Sequence, residues 1–257
     1  MLKKSLTSWG ERYLYRPRLL EKLLSLLLLP LTFIYCSVVY LRFLLKNPIN
    51  MGIPVISVGN LTLGGSGKTP LVTAFAHTFE GSAIVLRGYG RKSTGLHVVH
   101  DGTAILCDVQ TSGDEAMIYA QKLSDTIVIV SEIRELGIQK AQALGAKQVF
   151  LDDAYSKHHI KKLDLIIDVE TPNQFCIPSG AYRERLWSSK KALLLKENVD
   201  FTRHVHVEKA RNKMALVTAI ARPERLDKYL PDVVQKVYFE DHHFFTKEEV
   251  EAILNES

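Results

Sequence analysis

The feature that most constrains this chain is residues 55–70, Val-Ile-Ser-Val-Gly-Asn-Leu-Thr-Leu-Gly-Gly-Ser-Gly-Lys-Thr-Pro. A short apolar run enters a glycine-rich turn, and Gly67-Lys68-Thr69 opens a helical pattern with Pro70 in its first turn. A strand, a turn whose backbone N–H groups can curl inward and a helix presenting its positive end together make a cradle for a polyphosphate. Thr62, Gly64, Gly65, Ser66 and Gly67 line that turn, Lys68 can reach the β and γ phosphates, and the Thr69 hydroxyl can hold Mg²⁺. The strict spacing G-x-x-x-x-G-K-[ST] would place glycine at 62, where this chain has Thr62, so the loop is a compressed variant. An ordinary glycine-rich turn is the competing reading. The strand before the turn and the helix after it favour a nucleoside triphosphate site.

Upstream, residues 23–41 carry no charge. A helix of that length measures about 28 Å at ~1.5 Å per residue, close to the hydrocarbon thickness of a bilayer. Lys3, Lys4, Arg12, Arg16, Arg18 and Lys22 precede the run, and Arg42 and Lys46 follow it. Basic residues on both sides suit anionic headgroups without giving a one-sided topology signal, which favours a helix lying in or dipping into one leaflet. A secretory signal is disfavoured, because the run starts late and leads into bulky Tyr40-Leu-Arg-Phe-Leu-Leu45. A buried core helix stays open, since Pro30 interrupts the run and Ser25, Thr32 and Ser37 can line a packed face. So does a single span, with the nucleotide loop in the cytoplasm.

Of the 257 residues, 46% are hydrophobic and 24% charged, enough for one sizeable α/β domain or two small ones. The net charge of +5 gathers near the amino end, where a membrane surface explains it better than nucleic acid; no nucleic-acid-binding motif is present. Cys36, Cys107 and Cys176 are too scattered for a disulfide framework or metal cluster.

Past the glycine-rich turn the pattern alternates. Strands are expected at 83–86, 126–130, 148–151 and 163–169, with helices over 114–123 and 133–143 between them. This rhythm predicts a P-loop NTPase-like α/β fold: a parallel sheet covered by helices, with ligands at the carboxyl ends of the strands. Four regions follow: a membrane-associated helical segment (1–50), a nucleotide-binding core (51–170), a charge-rich connection (171–212) and a smaller α/β lobe (213–257). In the last, strands are expected at 214–221 and 233–239 and helices at 223–230 and 247–254. A cleft between two lobes is a natural meeting place for two substrates.

Phosphoryl transfer calls for metal ligands and a base. Residues 149–153 read as an apolar strand ending in Asp152-Asp153, an arrangement suited to holding Mg²⁺ opposite Thr69, although aspartates also favour turns. Asp114-Glu115, after Gly113, opens a helix, where acids suit the dipole and Asp114 can serve as N-cap. Asp241-His242-His243 closes a strand, where a histidine beside a carboxylate can orient or protonate a base. His77 on a helix, His97 and His100 in a hairpin, and His204 and His206 on one strand face read as structural. A metal site from His158, His159, His242 and His243 fits no known ligand spacing.

Asn60-Leu-Thr-x-Gly-Gly-x-Gly-Lys-Thr-Pro70, Arg87-Gly-Tyr-Gly-Arg91, Gly113-Asp-Glu115, Asp152-Asp-Ala154, Pro178-Ser-Gly-Ala-Tyr-Arg-Glu184 and Asp241-His-His-Phe244, in that order behind an apolar helix, resemble the tetraacyldisaccharide 4′-kinases of Gram-negative bacteria. The resemblance covers nearly the whole chain. It implies a monotopic P-loop kinase on the cytoplasmic face of the inner membrane. Such a kinase moves the γ-phosphate of ATP, with Mg²⁺, to the 4′-hydroxyl of lipid A disaccharide 1-phosphate. Carried onto this chain, it makes Lys68 the phosphate ligand, Thr69 a Mg²⁺ ligand, Asp114 the base with His242 as its partner, and Glu115 and Asp153 the acids near the metal. Arg87, Arg91 and Arg183 suit anionic phosphates or salt bridges within the fold. No obligate protein partner is implied.

Two departures stand out. Ser156-Lys157-His158-His159 occupies the place where the family usually carries Gln-His, and the resemblance implies a further strand with a Thr-Glu-Lys-Asp-like sequence beyond Ser257. The alternative function is a membrane-associated P-loop ATPase or GTPase switch without a lipid acceptor. Position 63, where such switches carry a signature lysine, is Leu63, and Asn212-Lys-Met-Ala215 lacks the final acid of a guanine reader.

Overall fold

In a computed structural model of the chain, the described residues are 2–205, 214–220, 223–227, 229–239, 243 and 245–256. The chain divides into two compact units, Arg12–Lys196 and a smaller one made of residues 1–11 with 197–257.

The larger unit is built on seven strands: β1 (Val55–Gly59), β2 (Ser82–Leu86), β3 (His97–Asp101), β4 (Ile127–Val130), β5 (Gln148–Asp152), β6 (Leu163–Ile167) and β7 (Ala192–Leu195). They run in the order β3-β4-β2-β5-β1-β6-β7. All pair in parallel except β3, which lies antiparallel to β4 at one edge. The expected hairpin at His97 and His100 forms on that edge, where His100 bridges Ile105 and the Asp101 carboxylate accepts from the N–H groups of Thr103 (2.8 Å) and Ala104 (2.9 Å). β7 lies inside the segment read as a connection. Lys190, Lys191 and Lys196 frame its four apolar residues, and that charge masks a strand lying at the open edge of the sheet.

Alternation along the strands divides the core into two layers. Val55, Ala83, Val85, Ile127, Ile129, Val149 and Leu151 form one cluster with Ile138 and Ala141 of α7 (Arg134–Ala143). The intervening positions face the other way: Phe150 stacks on Phe75 of α4 (Lys68–Thr78) with centroids 6.0 Å apart. Asp152 shares the parity of Phe150, so a carboxylate ends the strand on the side of α4 and of α6 (Asp114–Lys122).

The apolar run is two helices, not one. α1 (Leu2–Tyr15) precedes them, and α2 (Leu19–Leu27) and α3 (Leu29–Leu44) meet at a bend of 58°. Pro30, in the first turn of α3, has no N–H to continue the α2 ladder. No single helix among the described residues is long and apolar enough to cross a membrane, although this bent pair passes by length and composition. Leu19, Leu20, Leu27, Phe33 and Leu45 are exposed, whereas Ser25 and Thr32 are buried. Arg12 of the expected basic collar is tied instead to Glu21, at 2.8 Å.

In the smaller unit β8 (Ala215–Thr218) and β9 (Gln235–Tyr238) pair in parallel, and α8 spans Lys247–Glu256. The helix expected over 223–230 is a single 3₁₀ turn, Pro223–Leu226. Pro231 disfavours helical backbone at the residue before it, which shortens the run. His204 lies outside any strand, and His206 lies outside the described residues.

Candidate active site

β1 ends at Gly59 and the chain turns through Asn60–Gly67 into α4, whose first residue is Lys68. Gly64 and Gly67 have φ of 77° and 74°, left-handed values that favour glycine and bring the backbone around into the helix. Thr62 takes the place of the expected glycine because its side chain is used. Buried Asn60 donates to the Thr62 carbonyl (2.9 Å) and hydroxyl (3.1 Å), and Thr62 bridges Tyr182 of the Pro178–Glu184 motif. The N–H groups of Arg183 and Glu184 both bond the Leu61 carbonyl, at 2.8 and 3.1 Å. Two motifs 120 residues apart in sequence thus become one wall.

The acids stand beside this loop because β5 is the neighbour of β1: Val58 is in register with Asp152, and the Asp153 N–H donates to the Val58 carbonyl at 3.0 Å. Lys68 Nζ donates to Asn60 Oδ1 at 3.1 Å and lies 3.7 Å from Asp153 Oδ1. Arg183 pairs with Asp153 and donates to Asn60 Oδ1 at 3.3 Å. Burial works to raise the Asp153 pKa, but Lys68 and Arg183 outweigh it and hold the carboxyl below its usual range. Asp152 behaves oppositely: desolvation dominates, and its pKa is raised despite the nearby Lys68. Its Oδ2 accepts from the Tyr119 hydroxyl at 2.8 Å, while Oδ1 is buried without a hydrogen-bond partner. Arg134, buried at the start of α7, feels both aspartates, although desolvation lowers its pKa to about 10.

Asp114 is the first residue of α6, and the N-cap is Gly113, so the alternative of Asp114 as a cap does not hold. Gly113 has φ of 82°, and a Cβ there would lie 3.1 Å from the Tyr89 carbonyl oxygen. This close approach packs the Arg87–Arg91 loop against the start of α6. Asp114 Oδ1 accepts from the Glu115 N–H at 3.0 Å, and both side chains are partly buried. Arg91 is committed to Glu132 and the Gly95 carbonyl, whereas Arg87 is exposed.

His242 and Asp241 lie outside the described residues. The other three histidines weighed as a metal cluster go to separate tasks. His159 lies 2.7 Å from Glu135, and His243 2.9 Å from Glu249. Lys190 Nζ lies 2.8 Å from His158 Nδ1. A lysine ammonium can only donate, so Nδ1 accepts and the ring proton sits on Nε2, 3.7 Å from Glu184. Among the described residues no three or more His, Cys, Asp or Glu converge as a cation site. Mg²⁺ takes one or two carboxylates and completes its shell with water and phosphate oxygens. The buried, unpartnered Asp152 Oδ1 is a fitting donor for it. Asn60, Glu184 and Tyr119 escaped the sequence reading as site residues, although Asn60 directly follows a strand end and Glu184 closes a motif. Asn60, Asp153, Tyr155, Ser156, Arg183 and Glu184 line a cavity of about 50 Å³.

The apolar helices dock onto the same motif through polar groups. Ser25 Oγ donates to the Ser179 carbonyl (2.6 Å), Thr32 Oγ1 donates to Ser179 Oγ (2.7 Å) and accepts from the Ser179 N–H (3.0 Å), and Tyr35 donates to the Arg183 carbonyl (2.9 Å). Tyr15 reaches the Leu63 carbonyl in the glycine-rich loop.

Residues 24–198 match the family described as tetraacyldisaccharide-1-P 4′-kinase. The chain belongs to the tetraacyldisaccharide 4′-kinase family. It is 43% identical to the tetraacyldisaccharide 4′-kinase of Aliarcobacter butzleri over 264 residues, covering 99% of this chain and 84% of that one. With that of Campylobacter jejuni the identity is 46% over 98% of this chain and 82% of the relative, and with that of Helicobacter pylori 44% over 94% and 78%. A solved LpxK from Aquifex aeolicus, in complex with ATP, superposes with a TM-score of 0.66 over 88% of this chain and 86% of that one; at 23% identity this likeness speaks for the fold. Membership in the tetraacyldisaccharide 4′-kinase family makes the chain an ATP-dependent kinase rather than a switch that passes phosphate to water.

Proposed function

We propose that the chain, an ATP-dependent 4′-kinase of lipid A biosynthesis, takes tetraacyldisaccharide 1-phosphate as its acceptor at the cytoplasmic face of the bacterial inner membrane. The observation that carries the reading is the meeting of Lys68, Asp152 and Asp153 at the carboxyl ends of adjacent strands β1 and β5. In-line phosphoryl transfer needs positioned charge more than covalent chemistry. Lys68 neutralises the β and γ phosphates, and the loop N–H groups hold them. Thr69 and Asp152, with Asp153 and Glu115 nearby, would hold Mg²⁺, which when bound supplies charge neutralisation across the phosphates. Asp114 accepts the proton of the attacking hydroxyl. The exposed leucines and phenylalanine of α2 and α3 enter the bilayer, where a lipid acceptor resides.

Transfer of labelled γ-phosphate from ATP to tetraacyldisaccharide 1-phosphate, with Mg²⁺ and detergent, tests this reading beside Asp114→Ala, Lys68→Ala and a lipid-free control. Label in the lipid, lost by orders of magnitude in both folded variants, is expected. Label released only as free phosphate, or normal transfer by either variant, would overturn it.

A further inference from the structure

Tyr119 is fully buried on α6, five residues after Asp114. Its hydroxyl donates to Asp152 Oδ2 at 2.8 Å. A phenol carries one proton, and it is spent on that oxygen. Asp152 is thereby held with Oδ2 occupied and Oδ1 buried and unpartnered. The carboxylate comes from β5, and a side chain from α6 fixes it.

We infer that Tyr119 is a positioning residue that orients Asp152 as a donor to a divalent cation. The inference rests on the reading of Asp152 as part of the metal site. It also couples that site to the helix carrying Asp114, since a shift of α6 moves the hydroxyl on which Asp152 depends. A purely packing role for the ring would be served equally well by phenylalanine.

The test is Mn²⁺ binding to the full chain in detergent with a non-hydrolysable ATP analogue, read from the EPR signal of free Mn²⁺. Tyr119→Phe is expected to weaken Mn²⁺ binding about tenfold while affinity for the analogue in EDTA stays within twofold, a split that packing alone would not produce. Asp152→Asn serves as reference and is expected to weaken Mn²⁺ at least as much. If Tyr119→Phe binds Mn²⁺ as the unsubstituted chain does while Asp152→Asn does not, Tyr119 only packs and the inference fails. If Asp152→Asn also binds normally, the metal assignment itself fails and takes the inference with it. The unsubstituted chain gives a second readout that needs no Tyr119 variant: a tyrosine ultraviolet difference band on adding Mn²⁺, lost in Asp152→Asn. Absence of that band in the unsubstituted chain overturns the inference.

Discussion

Replacing Thr32 by valine removes one oxygen and keeps the shape of the side chain, so it isolates the polar joint between the apolar helices and the core. In the native chain Thr32 Oγ1 accepts from the buried Ser179 N–H at 3.0 Å and donates to Ser179 Oγ at 2.7 Å. Valine leaves that N–H without its acceptor, at about 1–3 kcal/mol for a buried unsatisfied group, and removes a second bond of about 1 kcal/mol. The added methyl recovers part of this, so the expected loss is about 2–3 kcal/mol. For the roughly 185 residues of the Arg12–Lys196 unit, an unfolding entropy of about 2.1 cal/mol/K per residue converts the loss to a Tm lower by ~5–8 °C. Thermal unfolding in detergent measures it. Ser37→Ala on the same helix, where the hydroxyl is exposed and bonds only the Phe33 carbonyl, is the control and should stay within about 0.5 kcal/mol of the native chain. A Thr32→Val protein that melts with the native one would show that the Thr32–Ser179 bonds carry no stability and would refute the reasoning.

Gly113→Ala places a Cβ 3.1 Å from the Tyr89 carbonyl at a backbone φ of 82°, so it should destabilise by about 1–3 kcal/mol and lower kcat by moving Asp114; unchanged kcat and denaturant midpoint would refute the close-packing argument. Asp101 is held at about 2 by hydrogen bonds from the Thr103 hydroxyl and the Ala104 and Thr103 N–H groups. Because its folded pKa lies below its unfolded value, its ionisation stabilises the fold fully above about pH 4 and progressively less as pH falls toward 2. The gap in urea midpoint between the native chain and Asp101→Asn should therefore close over that window, and a gap independent of pH would sink the assignment.

Much of the candidate site was legible from one dimension. Gly64, Gly67, Lys68 and Thr69 act through backbone conformation and the start of a helix, both local properties that a short sequence window encodes. Asp152-Asp153 was legible as a strand end, and the βα rhythm announced the sheet. The bend at Pro30 was half-visible: the proline showed where the helix breaks, but the direction of the 58° turn depends on what α2 and α3 pack against.

Strand order, and with it the composition of the site, belonged to the tertiary structure. That β5 rather than β2 lies beside β1 is a non-local pairing, and it alone brings Asp152 and Asp153 to Lys68. The parity of Asp152 with Phe150 then sends one carboxylate toward Tyr119, while the left-handed φ of 52° at Asp153 departs from the strand geometry and leaves that side chain with Lys68 and Arg183. No spacing in the sequence marks Tyr119 or Asn60 as site residues, because a tyrosine on the apolar face of a helix and an asparagine after a strand have ordinary structural uses. Their partners come from other elements. Local sequence determined which residues can bind phosphate and cation; long-range packing decided which of them meet.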